Sequence, residues 1–160
     1  MRVLAVDPGY DRSGLAVIEY ASSGSEIVLF STCLETNKNE PLHQRVFQIG
    51  TSFKQILETY QPNAVAIEHI FFNKNVKTAI GVAQARGVIV YLAHAYNCPV
   101  YEFGPQEIKI AVTGYGKSDK QAVTAMIRQI VRNVPQAALD DEFDAIAVGV
   151  TCLAHYGRTS

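Results

Sequence analysis

Apolar residues along this chain come first in short runs and later in stripes. Met1–Asp7 alternates and is rich in Val and Leu, which predicts a strand. Pro8–Ser13 carries Pro, Gly, Asp and Ser and predicts a turn. Gly14–Tyr20 predicts a second strand, ASSGS a short turn, and EIVLFSTCLE a third strand. Two short connections in succession imply a three-stranded antiparallel meander. Then the period changes. Leu42, Val46, Ile49, Phe53, Ile56 and Leu57 form one apolar stripe of a long helix that ends before Pro62. NAVAIEHI is a short, almost wholly apolar strand, as expected where helices cover both faces of a sheet. NVKTAIGVAQARGVIVYLAHAYN reads as a long helix with small residues on its faces, and CPVYEF as a further strand. GPQEIKIAVTG predicts a short helix with Pro near its first turn. GKSDKQAVTAMIRQIV predicts a helix capped by Ser118, and DDEFDAIAVGVTCLAHYG a closing helix with acidic residues in its first turn.

This order predicts an α/β architecture: a mixed five-stranded sheet with helices on both faces. The 160 residues suit one domain over 1–160. An apolar share of 48% fits a packed protein and excludes a disordered one. No apolar run is long enough to span a bilayer, so no membrane is expected. Asp7, Pro8 and Asp11 interrupt the first apolar stretch, which argues against a secretory leader. Cys33, Cys98 and Cys152 are odd in number and lack metal-ligand spacing. They read as reduced core residues of a cytoplasmic protein. The net charge of −1 lends no support to nucleic-acid binding, although distribution can matter more than the total.

Four carboxylates stand in unusual places. Asp7 ends the first strand and Glu68 ends AVAIE. Asp141 and Asp144 lie three apart at the start of the last helix and so share one face. In an open sheet the ends of neighbouring strands meet at one edge, which brings Asp7 to Glu68. A closing helix docked there adds the other two. Such a cluster repels itself unless divalent cations neutralise it, and hard oxygen ligands suit Mg²⁺ or Mn²⁺. Two such ions can clamp the attacking and leaving oxygens of phosphoryl transfer. Each residue also has a plain reading: a turn former at Asp7, a solvated charge at Glu68, dipole partners at the helix start. Pattern alone leaves the two readings level.

Four blocks add a resemblance. AVDPGYDRSGLAVIE, AVAIEHIFFNKNVKTAIGVAQARGVIVYLA, YEFGPQEIKIAVTGYGKSDKQAVTAMI and DDEFDAIAVGVTCLAH resemble, in order, the signature segments of RuvC Holliday junction resolvases. Only about Ser22 to Leu42 carries no usable signature. The resemblance implies an RNase H-like fold and a homodimer. It implies Mg²⁺-dependent nicking, with two ions per active site and Mn²⁺ as a substitute, of two like-polarity strands at a four-way DNA junction. It further implies a possible branch-migration partner of the RuvA/RuvB type. Asp7, Glu68, Asp141 and Asp144 fall on the family's catalytic carboxylates. Asp141 is preferred to its neighbour Asp140 because it stands three before Asp144. Lys109 and Lys120 fall on basic residues near the scissile phosphates. Phe71 falls on an aromatic position beside the junction centre.

Lys120 in a helix's first turn opposes the dipole, so a phosphate supplies a reason for it. Phe71 and Phe72, beside Asn73, Lys74 and Asn75, can stack on splayed bases while Lys74 meets phosphate; alternatively Phe72 packs in the core. Positive charge for DNA must then concentrate on Lys74, Lys77, Arg86, Lys109, Lys117 and Lys120. Arg86 has two readings, a DNA contact or a structural ion pair. Ala83, Ala85 and Gly87 permit close approach of another helix, as at a dimer interface. His69 is expected to face away from the metals, and His155 to be a surface or packing residue. Three rival functions stay open. They are another RNase H-like nuclease acting on RNA or duplex DNA, a catalytically silent junction-binding module, and an actin-like nucleotide-binding protein.

Overall fold

The computed structural model describes residues 1–22, 24–69 and 76–157, without the side chains of Val76 and Lys77. The meander forms as expected: β1 (Arg2–Asp7), β2 (Arg12–Tyr20) and β3 (Glu26–Glu35) pair antiparallel in sequence order. Helix α1 (Leu42–Tyr60) follows, and its apolar stripe buries Ile49, Phe53, Ile56 and Leu57. Strand β4 (Ala64–Glu68) then returns parallel to β1. Helix α2 (Val76–Ala95) leads to β5 (Val100–Phe103), parallel to β4. The chain closes with α3 (Pro105–Thr113), α4 (Lys120–Ile130), β6 (Val131–Arg132) and α5 (Asp140–Tyr156).

The sheet has six strands, in the order β5-β4-β1-β2-β3-β6, rather than five. The extra strand is the two-residue β6, which runs parallel to Glu26 and Ile27 of β3. Two residues are too few to show an alternation, and they follow directly on an amphipathic helix. Asn133, with φ 59°, then turns the chain away. The cap of α4 also differs. Asp119 is the N-cap and accepts from the Ala122 N–H at 2.8 Å. Ser118 is buried, and its hydroxyl bonds the Tyr115 carbonyl at 2.8 Å and the Thr113 hydroxyl at 2.7 Å.

Strand alternation divides the core between the two faces of the sheet. Leu4, Val6, Val65 and Ile67 join α1 and α2 on one face. Val3, Ala5 and Ala66 join α5 on the other. The second face is built of small side chains where α5 crosses it. Gly149 of α5 lies so near β1 and β2 that a Cβ there would stand 2.4 Å from Ile18 Cγ2 and 3.3 Å from Ala5 Cβ. Gly14 of β2 does the same work at the helix start, where a Cβ would meet the Asp141 carbonyl oxygen at 1.8 Å. These glycines let α5 lie flat on the sheet, with its N-terminus over the end of β1.

Candidate active site

Alternation carries past the core to the strand ends. Asp7 continues the Val3–Ala5 row and Glu68 continues the Ala64–Ala66 row, so both carboxylates belong to the α5 face. Parallel pairing sets Val6 beside Ile67, and one step further brings Asp7 beside Glu68. The register of β1 with β2 places Gly14 opposite Asp7, and Asp141 stands over Gly14. One strand pair and one helix start therefore converge on a single edge.

The electrostatics reflect that convergence. Burial pushes the Asp7 carboxyl up to about 6, with Asp144 and Asp141 adding to the rise and Lys120 opposing it. Burial pushes Glu68 up to about 7, helped by Asp7 and Asp144 and opposed by Lys120 and Lys109. Neither strand carboxylate makes an ion pair among the described residues. The helix carboxylates do. Lys120 Nζ lies 2.9 Å from Asp144 Oδ2 and 3.5 Å from Asp140 Oδ2. Burial works against the Lys120 ammonium, but Asp144 and Asp140 outweigh it and hold its pKa up. Asp141 Oδ2 lies 2.6 Å from Arg12 Nη2.

The turn after Asp7 is braced from below. Arg45 of α1 is buried, ion-paired to Asp11, and donates to Thr36 Oγ1 at 2.9 Å and to the Tyr10 carbonyl at 3.2 Å. Its guanidinium also sits over the Tyr10 ring, 4.8 Å from the centroid.

An oxygen-only donor set suits a hard divalent ion. Burial first, and neighbouring carboxylates second, make Asp7 and Glu68 ionise less readily than exposed carboxylates, a penalty that a nearby cation would relieve. In this arrangement, no three His, Cys, Asp or Glu side chains among the described residues stand close enough together to hold an ion. Asp141 and Asp144 lean on Arg12 and Lys120 instead. The chemistry of the donors fits such an ion.

Comparison with known proteins decides the class. The profile of the family "Crossover junction endodeoxyribonuclease RuvC" matches residues 3–152. This chain belongs to the RuvC family. The Thermotoga petrophila crossover junction endodeoxyribonuclease RuvC is 38% identical over 92% of this chain and 89% of its own. The Thermosipho melanesiensis protein of that name is 40% identical over 96% of this chain and 97% of its own. Among solved structures, Thermus thermophilus RuvC in complex with a Holliday junction substrate superposes with a TM-score of 0.90 at 30% identity, covering 97% of this chain and 94% of that one. The fold is RNase H-like, and the protein is an endodeoxyribonuclease of the crossover-junction class.

The remaining expected site residues divide into three groups. Lys109 and Lys120 stand close enough to Glu68 to lower its pKa. Arg86 is ion-paired to Glu102, which also takes His69 Nε2 at 3.0 Å. That ion pair ties the ARG segment of α2 to β5. Lys117 is exposed in the loop between α3 and α4. Phe71, Phe72, Lys74 and Asn75 lie outside the described residues, as does the Lys77 side chain. Asp140 is the most exposed of the three aspartates, at 79% of its side chain against 33% for Asp144 and 24% for Asp141. His155 meets Glu107 at 3.5 Å on the surface.

Of the small residues on α2, Ala85 is wholly buried in the chain's own core. Gly87 is open, with no heavy atom within 4 Å of where its Cβ would stand.

Sequence reasoning missed Arg12 and Arg45. Arg45 was legible in principle: it occupies the apolar stripe of α1, where a charge needs a buried partner. Arg12 had no such signal, since its partner lies far away in sequence.

Proposed function

We propose that this protein resolves four-way (Holliday) junctions by paired symmetric nicks, with Asp7, Glu68, Asp141 and Asp144 holding two Mg²⁺ ions for which Mn²⁺ can substitute. The observation that carries the reading is the strand pair: two carboxylates in adjacent register, raised to about 6 and about 7, facing a helix start that supplies two more. Ions held by these four carboxylates would supply activation of a water for in-line attack and positive charge at the leaving oxygen. The chain supplies the rest. β1 and β4 are rigid mounts for Asp7 and Glu68. α5 brings Asp141 and Asp144 onto the same edge. Lys120, released from Asp144 as that carboxylate turns inward, offers its ammonium to the scissile phosphate, and Lys109 does so from the Glu68 side. The segment 70–77, with Phe71, Phe72, Lys74, Asn75 and Lys77, follows Glu68 in sequence after one intervening residue, which makes its rings and cations the candidates for contact with DNA near the reacting phosphate. Bases stack on its rings and phosphates meet its cations. Lys117 extends the positive edge.

Paired nicks need two sites related by symmetry, which a homodimer provides. Phe47 of α1 and Tyr91 of α2 are 74% and 72% exposed and border one shallow apolar depression with Val46, Gly50 and Val88. That surface supports self-association. A branch-migration complex of the RuvA/RuvB type is the natural supplier of mobile junctions.

The test is a cleavage assay with Mg²⁺, comparing a strand-labelled mobile junction with linear duplex and RNA/DNA hybrid. Symmetric paired nicks confined to the junction are expected. Equal cutting of the duplex or the hybrid refutes the junction reading, and binding without cutting refutes the nuclease reading.

A further inference from the structure

Asp141 stands between two sides of the site. On one side are Asp7 and Glu68, on β1 and β4. On the other are residues of β2 and β3 that hold its side chain. Arg12 Nη2 lies 2.6 Å from Asp141 Oδ2, and Cys33 Sγ lies 3.6 Å from the same oxygen. Arg12 Nε in turn lies 3.5 Å from Cys33 Sγ and 3.6 Å from Glu35 Oε1. Glu35 is the direct cross-strand neighbour of Arg12 in the β2–β3 register. The guanidinium thus touches two carboxylates, one that faces the site and one that does not.

We infer that Arg12 is an internal counter-cation of the site: it neutralises Asp141 in the metal-free protein, and a divalent ion must draw Asp141 away from it. The inference rests on reading the four carboxylates as metal ligands. Three observations carry it. The oxygen that Arg12 engages belongs to Asp141, the residue whose backbone carbonyl stands over Gly14, opposite Asp7 in the strand register. Arg12 has a second resting place on Glu35, so losing Asp141 does not strand its charge. Its side chain is 44% exposed, so letting go of Asp141 while keeping Glu35 repacks no core. Arg12 is therefore a positioning residue that sets how readily the site accepts metal. Lys120 performs a parallel service for Asp144, but it also faces the reacting phosphate, whereas Arg12 sits behind Asp141.

Because the Arg12–Asp141 pair is partly exposed, its effect is modest. Arg12→Gln should lower the Mn²⁺ dissociation constant of the full chain by about two- to fivefold, and Arg12→Lys should leave it near that of the native protein. The measurement is a Mn²⁺ titration without DNA, by calorimetry or by the electron paramagnetic resonance of free Mn²⁺. An unchanged or weaker Mn²⁺ affinity in Arg12→Gln overturns the inference. Should Arg12→Gln fail to fold, Glu35→Gln gives the reverse test. It removes the second resting place, so Mn²⁺ should bind more weakly, and an unchanged affinity overturns the inference. Asp7→Asn separates the two levels. If it keeps native Mn²⁺ affinity, the metal reading itself fails. If it loses Mn²⁺ while Arg12→Gln behaves as native, only the role of Arg12 fails.

Discussion

The acidic site has two unlike halves. Asp7 and Glu68 end buried strands, lack ion pairs among the described residues, and are pushed up to about 6 and about 7. Asp141 and Asp144 start a helix, remain half-buried, and are held by Arg12 and Lys120. The strands supply rigidity at an electrostatic cost that Lys120 and Lys109 offset only in part. The helix supplies mobile carboxylates kept quiet by resident cations. On the proposed metal reading, such a division lets resident cations balance the helix half while the strand half awaits an ion.

Breaking the rigid half should have the largest effect. Asp7→Asn is nearly isosteric but removes the charge; junction cleavage should fall about a thousandfold or more, with junction binding still measurable in a gel-shift assay. Full-rate cleavage would remove Asp7 from the chemistry. The next effect comes from the seat of the helix. Gly14→Ala drives a Cβ into the Asp141 carbonyl, so α5 must shift. A loss of about 1–3 kcal/mol in urea unfolding is expected, with cleavage down by roughly tenfold to a hundredfold.

The comparison also has a pH signature. Asp7 and Glu68 bind protons more tightly folded than unfolded, because their folded values lie above the ordinary carboxylate range. Their contribution to stability is therefore full below the unfolded pKa values and is lost as pH rises through the folded ones. In EDTA, stability should fall between about pH 4 and pH 7. Glu68→Gln should flatten part of that fall, by about 1–3 kcal/mol across the window. Native and Glu68→Gln curves that run parallel would show that Glu68 is not perturbed. The smallest effect is assigned to Asp140, whose side chain is 79% exposed. Asp140→Asn should leave the cleavage rate within about twofold of native, as befits an exposed pair, whereas Asp141→Asn should not. Equal losses in the two would undo the choice between these neighbours.

Much of this was legible in the residues. The switch from alternation to stripes fixed the order of the main elements, since each period answers to one backbone geometry. Asp7 and Glu68 could be singled out because each ends an apolar run. What stayed hidden was local or long-range. The β6 strand is too short to carry a period. Asp119 rather than Ser118 caps α4 because the Ser118 hydroxyl is already engaged by Thr113 and Tyr115. Arg12, the cation holding Asp141, escaped for a different reason. Arg12 and Asp141 are separated by almost the whole chain, and only the seating of α5 over Gly14 brings them together.

The central claim is that four carboxylates at this sheet edge hold the divalent ions of a junction nuclease. Anomalous diffraction from crystals grown with Mn²⁺ tests it most directly. Manganese peaks among Asp7, Glu68, Asp141 and Asp144 are expected, with Asp141 turned from Arg12 and Asp144 from Lys120. A Mn²⁺-loaded crystal of cleavage-competent protein with its ions elsewhere, and both ion pairs intact, would contradict the account.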